Sequence, residues 1–348
     1  MKWIFMASLL LVGCNGSDPA PGNDGDDDDA SSGDDDDDQP TDTDTDTEPT
    51  DTAPEPIEID CALIPAEPTA YRPVPGARGY HDVEFDADGL IIGATSGFNS
   101  DLLKVNYDGD IQVWVPGVRT VQQFAWLPDG DLAVASDTNG IVRVASNGGT
   151  SIINGNIQPY GLLLGPDEML YAADQSEIWR VDPTSGEATQ LMARGVLASG
   201  HPRVINFSLD YTKMFIGTYT GSQGRIYVVD VDADFNIVSA PTVFATGVGS
   251  GAYHDTLGVD ICGYLYVADY SSSAMYRIDP DGQVITLLQA QGFLAQEYGH
   301  GMTWGTGKDG WLDQAIYVTQ PYNGNSVLEV VIDVPPRGWT KGYAINLP

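Results

Sequence analysis

The chain has four histidines, each just ahead of a stretch rich in β-forming residues. The stretches open with Tyr80-His81-Asp82-Val83, His201-Pro202-Arg203-Val204, Tyr253-His254-Asp255-Thr256 and Gly299-His300-Gly301-Met302. Two comparable stretches begin at Gln122-Gln123-Phe124 and Tyr160-Gly161-Leu162. Set in register on Val83, Phe124, Leu162, Ile205, Leu257 and Met302, the six stretches place His81, Gln122, Tyr160, Arg203, Asp255 and His300 at one equivalent position. Imidazole with carboxylate suits zinc, manganese or iron better than calcium. A histidine beside an aspartate is equally a proton acceptor near neutral pH that needs no metal. His81, Asp255 and His300 are therefore the candidates for metal ligation or for acid-base catalysis. Gln122, Tyr160, Arg203, His254 and Asp82 are candidates for positioning a ligand, with Arg203 able to clamp a carboxylate or stabilise an enolate. The competing reading is that these side chains satisfy one another inside a narrow channel. His201, preceding a proline, reads as a surface residue.

The elements that would bring such residues together recur with them. The register positions are 38 to 52 residues apart. Within each unit an apolar stretch is followed by a turn such as Asp88-Gly89, Asp129-Gly130 or Cys262-Gly263, then by β-rich runs such as Leu132-Ala133-Val134-Ala135 and Leu265-Tyr266-Val267-Ala268. Repeats of this period, each with several short strands, define a β-propeller whose innermost strands line a central channel. No segment carries a helical period with caps. The expected fold is all-β, a six-bladed propeller of four-stranded blades over residues 61–348. Circular closure requires a strand from one terminus, either residues 70–74 or residues 343–347.

The loops expected around the channel mouth join the second and third strands and carry Phe98, Tyr219, Tyr270 and Tyr322 among hydroxyl and amide groups. Such a surface suits a small polar molecule, a glycan or a peptide. No glycine-rich phosphate loop, CxxC pair, Gly-x-Ser-x-Gly elbow or His-Glu-x-x-His motif is present, which leaves those reaction classes without their usual sequence support.

The ends of the chain bound its setting. Met1-Lys2 is followed by an apolar run too short to span a bilayer, ending in Leu11-Val12-Gly13-Cys14. Residues 1–13 resemble a bacterial lipoprotein signal peptide, which implies lipidation of Cys14 and anchoring at the outer membrane or cell surface. Residues 15–60 hold nineteen acidic residues and no Lys or Arg. Residues 14–60 are read as a disordered acidic tether. The formal charge of −35, less that run and Lys2, leaves −17 on residues 61–348, disfavouring nucleic acid as a partner. A monomer is expected. In an oxidising compartment Cys61 and Cys262 are expected to pair, the alternative being two free buried thiols.

Pro159-Tyr160-Gly161-Leu162, Leu170-Tyr171-Ala172-Ala173-Asp174 and Leu265-Tyr266-Val267-Ala268-Asp269-Tyr270 resemble repeats of the gluconolactonase, senescence marker protein and paraoxonase group and of NHL-type propellers. The resemblance implies a divalent cation, usually calcium, held at the channel head by a Glu, two Asn and an Asp. The Asp falls on Asp255 and one Asn on Gln122, whereas the Glu position is His81 and the other Asn position is Tyr160, neither of which calcium favours. Calcium, zinc and manganese therefore stay open. Propeller lyases acting on streptogramin antibiotics are similar in using channel histidines, which implies elimination as an alternative to hydrolysis. The expected function is binding, with hydrolysis or elimination, of a lactone- or sugar-like ligand at the mouth. The alternative is a non-catalytic binding module.

Overall fold

The structure, a computed structural model, describes residues 57–95, 99–219, 224–251, 253–289, 300–321, 326–338 and 343–346. The expected signal peptide with Cys14, the expected tether up to residue 56, Phe98 and Tyr322 lie outside the described residues. The propeller unit spans Pro54–Pro348. It opens with β1 (Ile57–Asp60) and β2 (Ala70–Pro73).

Blade one is β3 (Val83–Phe85), β4 (Ile91–Ala94), β5 (Asn99–Val105) and β6 (Ile111–Arg119). Blade two is β7 (Val121–Trp126), β8 (Leu132–Ser136), β9 (Gly140–Val144) and β10 (Thr150–Asn154). Blade three is β11 (Gly161–Leu164), β12 (Leu170–Ala173), β13 (Ile178–Val181) and β14 (Ala188–Met192). Blade four is β15 (His201–Phe207), β16 (Lys213–Tyr219), β17 (Arg225–Asp230) and β18 (Thr242–Thr246). Blade five is β19 (His254–Val259), β20 (Leu265–Asp269), β21 (Ala274–Ile278) and β22 (Val284–Gln289). Blade six combines β23 (Met302–Trp304), β24 (Ala315–Gln320) and β25 (Ser326–Val331) with β2 from the start of the chain. Each blade is a four-stranded antiparallel sheet. Apart from one 3-10 turn at Cys61–Leu63, no helix occurs among the described residues.

The core is divided rather than central. Six apolar clusters each fill the wedge between two neighbouring blades. A strand facing two wedges must be apolar on both sides, which explains why β8, β20 and β24 are buried along their whole length.

Tight turns connect inner and second strands at the end of the channel away from the histidines. In blades one and five the turn is anchored by an aspartate: Asp86 accepts from the amides of Asp88 and Leu90, and Asp260 from those of Cys262 and Tyr264. The fourth turn residue has positive φ at Gly89 and Gly263 (φ 80 and 82), a conformation open to glycine at little cost.

Closure is made by β2, which pairs antiparallel with β25. Arg72 Nε donates to Glu329 Oε1 at 2.7 Å, and Tyr317 Oη donates to Glu329 Oε2 at 2.6 Å, so a buried carboxylate joins the first and last strands of the ring. The other terminal segment, β26 (Tyr343–Asn346), runs parallel to β1. The folded unit thus begins ahead of residue 61: Ile57–Asp60 is a strand, where composition alone reads tether. Cys61 and Cys262 are bonded, with Cα atoms 5.6 Å apart. Cys262 sits in the turn after β19, so the bond is at the channel end opposite the histidines.

Candidate functional site at the channel mouth

All six register residues, His81, Gln122, Tyr160, Arg203, Asp255 and His300, line one cavity of about 360 Å³ at the head of the channel. Three are aimed by irregularities in their strands. Gln122 and Gln123 together oppose Ala135, Arg203 is the extra residue between Pro202 and Val204, and Asp255 is the extra residue between His254 and Thr256. A bulge of this kind turns a side chain that the regular pleat would send into the blade interface.

Asp255 is the hub. Its Oδ1 accepts from Arg203 Nε at 2.5 Å, and its Oδ2 lies 3.2 Å from His300 Nδ1. The Nδ1 atoms of His300 and His81 are 2.7 Å apart, and the Tyr160 hydroxyl is 3.1 Å from His81 Nδ1. Only one of two facing Nδ1 atoms can carry a proton. Shared between the two rings, that proton lies beside the Asp255 carboxylate when on His300 and leaves His81 Nε2 free as a base when on His81. The result is a row of close contacts from His81 through His300 to Asp255 and Arg203, with the Tyr160 hydroxyl beside His81 Nδ1.

Burial pushes the Asp255 carboxyl up to about 6, against the pull of Arg203. Burial and then Arg203 hold His300 down to about 3. His81 is held well below the usual imidazole range by burial, by His300 and by Arg203. Both rings are neutral at physiological pH, and of the two His81 is the more exposed.

Arg203 is fixed in place. Its guanidinium carbon is 3.3 Å from the centre of the Tyr160 ring and 4.8 Å from that of Tyr219. Its Nη1 donates to Gln175 Oε1 at 3.2 Å. Gln122 Nε2 donates to Asp137 Oδ2 at 2.9 Å. Tyr80, Tyr219, Tyr253 and Tyr270 complete an aromatic wall. Gln175 escaped the sequence reading because it lies in the connecting loop of blade three, where only its place beside Asp174 gave a signal.

Two expected ligand-binding residues sit elsewhere. His254 is fully buried: Nδ1 accepts from the Thr218 amide at 3.0 Å, and Nε2 donates to the Val248 carbonyl at 2.8 Å, so both nitrogens are spent on backbone. Asp82 does not reach the histidine cavity. It lines a second cavity, of about 280 Å³, at the other end of the channel, and its Oδ2 accepts from the Phe124 amide at 2.9 Å. Gln123 lies between the two ends, donating from Nε2 to the Asp255 carbonyl at 2.7 Å and accepting at Oε1 from the Leu162 amide at 3.0 Å. His201 is half-buried at the start of β15, paired with Tyr219, and does not line the cavity.

The cation that the resemblance implies does not fit this donor set. Among the described residues no group of three or more His, Cys, Asp or Glu side chains is arranged to hold a metal ion. Of its two carboxylates, Asp255 is engaged by a guanidinium and Asp137 by the Gln122 amide, and the two imidazoles turn their Nδ1 atoms to each other. A hard cation needs several convergent oxygens.

The fold and site define the class: a six-bladed propeller with a polar, partly aromatic mouth. Residues 199–291 match the family described as SMP-30/Gluconolactonase/LRE-like region. That stretch covers blades four and five, which supply Arg203 and Asp255. The family match is confined to those two blades, and the other blades share the propeller architecture. No curated protein matches the sequence. Among solved structures it is similar to regucalcin, a calcium-binding protein from Agrobacterium tumefaciens (19% identity, TM-score 0.62, 81% of this chain and 97% of that one). It is also similar to a gluconolactonase from Xanthomonas campestris (15%, 0.61, 81% and 95%). A third is an auxiliary nutrient binding protein from Bacteroides thetaiotaomicron (14%, 0.55, 75% and 72%). At these identities the likeness establishes the fold alone.

Proposed function

We propose that the protein hydrolyses, or opens by elimination, a small lactone- or sugar-like molecule at the channel mouth. One observation carries this reading: Asp255 is held between Arg203 and His300, with the more exposed His81 next in line at the cavity. In hydrolysis, His81 Nε2 takes a proton from water as the water oxygen bonds to the carbonyl carbon, and the proton on His81 Nδ1 passes to His300. Asp255, acting through His300, stabilises the imidazolium that forms. The ring oxygen leaves with that proton, giving a hydroxy acid. In elimination the same base removes a proton beside a carbonyl, a C=C bond forms, and the ester C–O bond on the adjacent carbon breaks to release a carboxylate. Gln122 and Tyr160 position the ligand.

The test is turnover of a panel of lactones and esters by the full chain and by its His81→Gln and Asp255→Asn variants. Turnover lost in both variants, with folding intact, supports the proposal. Turnover unchanged in both would sink it.

The aromatic wall favours a second reading, a binding module that holds a sugar-like ligand without converting it. There Tyr270→Ala weakens ligand capture while His81→Gln binds normally. We also propose that the chain is exported and lipidated at Cys14, with the acidic run as spacer. A Cys14→Ala chain recovered in the membrane fraction, still anchored, would contradict this.

A further inference from the structure

The mouth holds one fully buried carboxylate and one buried guanidinium, bonded to each other. Around them the Gln122 amide nitrogen is tied to Asp137 and the Tyr160 hydroxyl faces His81, which leaves Gln122 Oε1 and Asp255 Oδ2 as unbonded buried oxygens at the mouth, two where a hard cation takes about six to eight. A divalent cation on Asp255 would also stand against the fixed charge of Arg203 in a space of low dielectric. Arg203 itself is built in, packed between the rings of Tyr160 and Tyr219 and braced by Gln175. Arginine has five N–H donors. Asp255 and Gln175 take one each, and Arg203 lines the cavity.

We propose that Arg203 is the electrophile of the mouth in place of a bound divalent cation, receiving the carbonyl oxygen of a neutral ester- or lactone-type ligand. This rests on the reading of the mouth as the reaction site and narrows its substrate class. Negative charge that develops on the carbonyl oxygen is met by a preorganised donor that is already desolvated. A ligand that is already a carboxylate fits poorly, because Asp255 neutralises Arg203 and Asp137 faces the same cavity. The acid produced by hydrolysis is accordingly released.

The experiment uses the full chain purified without chelator, with a portion then dialysed against EDTA. Elemental analysis and melting curves with calcium, manganese or zinc chloride read the metal directly, apart from any turnover. Well under one metal per chain, with no shift of the melting point, is expected. About one metal per chain that Asp255→Asn abolishes would overturn the inference. A second arm compares turnover of the panel in EDTA and in excess calcium chloride. Rates within about twofold support the inference, and a drop of more than about tenfold in EDTA that calcium restores overturns it, while the mouth remains the reaction site. If nothing in the panel turns over, the functional reading fails and the metal measurement still decides this one. Arg203→Lys, which keeps the charge but not the planar fork, is expected to lower kcat about 100-fold with KM little changed. A change confined to KM would overturn the electrophile role.

Discussion

Arg203 Nε stands 2.5 Å from Asp255 Oδ1, and the two side chains are 8% and 1% exposed. Each ion is the partner that makes burial of the other tolerable. Removing one alone strands a charge, at a cost of about 3–5 kcal/mol, whereas replacing both with apolar groups of similar size is close to neutral. Arg203→Met is therefore expected to lose about 3–5 kcal/mol in urea unfolding, and Arg203→Met with Asp255→Leu to regain most of it. Additive losses in that cycle would show that the pair does not couple.

The same pair sets a pH dependence. Asp255 must be ionised to hold Arg203 and to support His81 through His300, and its carboxyl is raised to about 6. Because the raised group gains its proton as pH falls, kcat/KM is expected to drop as pH falls through about 6. The limb does not belong to the histidines, since His300 is held down to about 3 and His81 also lies well below its usual range. Residual activity of Asp255→Asn should be flat across this window. A limb that persists in the variant assigns it to another group.

The repeat made the ring legible. Six equivalent positions in six units were set by register alone, and all six face one cavity. What the register could not give is the phase of adjacent residues. Successive residues on a strand face opposite sides and step about 3.3 Å along it. Asp82, one residue past His81, therefore lies farther down the channel, at the amide of Phe124. His254, one residue before Asp255, turns into the interface of blades four and five, against Thr218 and Val248. The strand at Ile57–Asp60 was hidden by composition: the alternating Ile57 and Ile59 lie inside an acidic run, yet Ile59 is buried. Closure through β2 was decided by a pairing across the whole chain, Arg72 with Glu329, which no local pattern reports.

Gln123 ties blade two to blades three and five through the Leu162 amide and the Asp255 carbonyl. Leucine is close in size but makes neither bond, leaving a buried donor and a buried acceptor at about 1–3 kcal/mol. Gln123→Leu is expected to unfold at lower urea by about that amount. The Asp255 carbonyl loses its donor, so turnover should fall as well. An unchanged midpoint would mean that water replaces both bonds.

Stability should also fall with rising pH on the alkaline side. Burial raises both Glu84 and Asp260 to about 7. A carboxyl raised on folding contributes stability that is present at low pH and lost as pH rises through the folded value. The buried histidines, with lowered values, act in the opposite direction, but below pH 6.5. Between pH 6.5 and 8 the carboxyls alone remain, and the melting temperature is expected to decline. Glu84→Gln should flatten that slope. A slope unchanged in this variant would place the titration elsewhere.

The bond between Cys61 and Cys262 links positions 201 residues apart. In the chain-entropy account a loop of that length restricts the unfolded state by about 5 kcal/mol, and measured losses run from about 2 to 5. The bond also fixes the segment carrying β1 beside blade five, where Ile59, Cys61 and Cys262 share one apolar cluster with Met302 and Val334. It lies at the channel end away from His81 and His300, so its loss should reach stability before chemistry. Cys61→Ser with Cys262→Ser is expected to unfold about 2–5 kcal/mol more easily in urea, and protease is expected to cut first near residue 61. Turnover at the mouth should hold at temperatures well below melting. Lost turnover in a variant that still melts cooperatively would show that the staple supports the mouth as well as the ring.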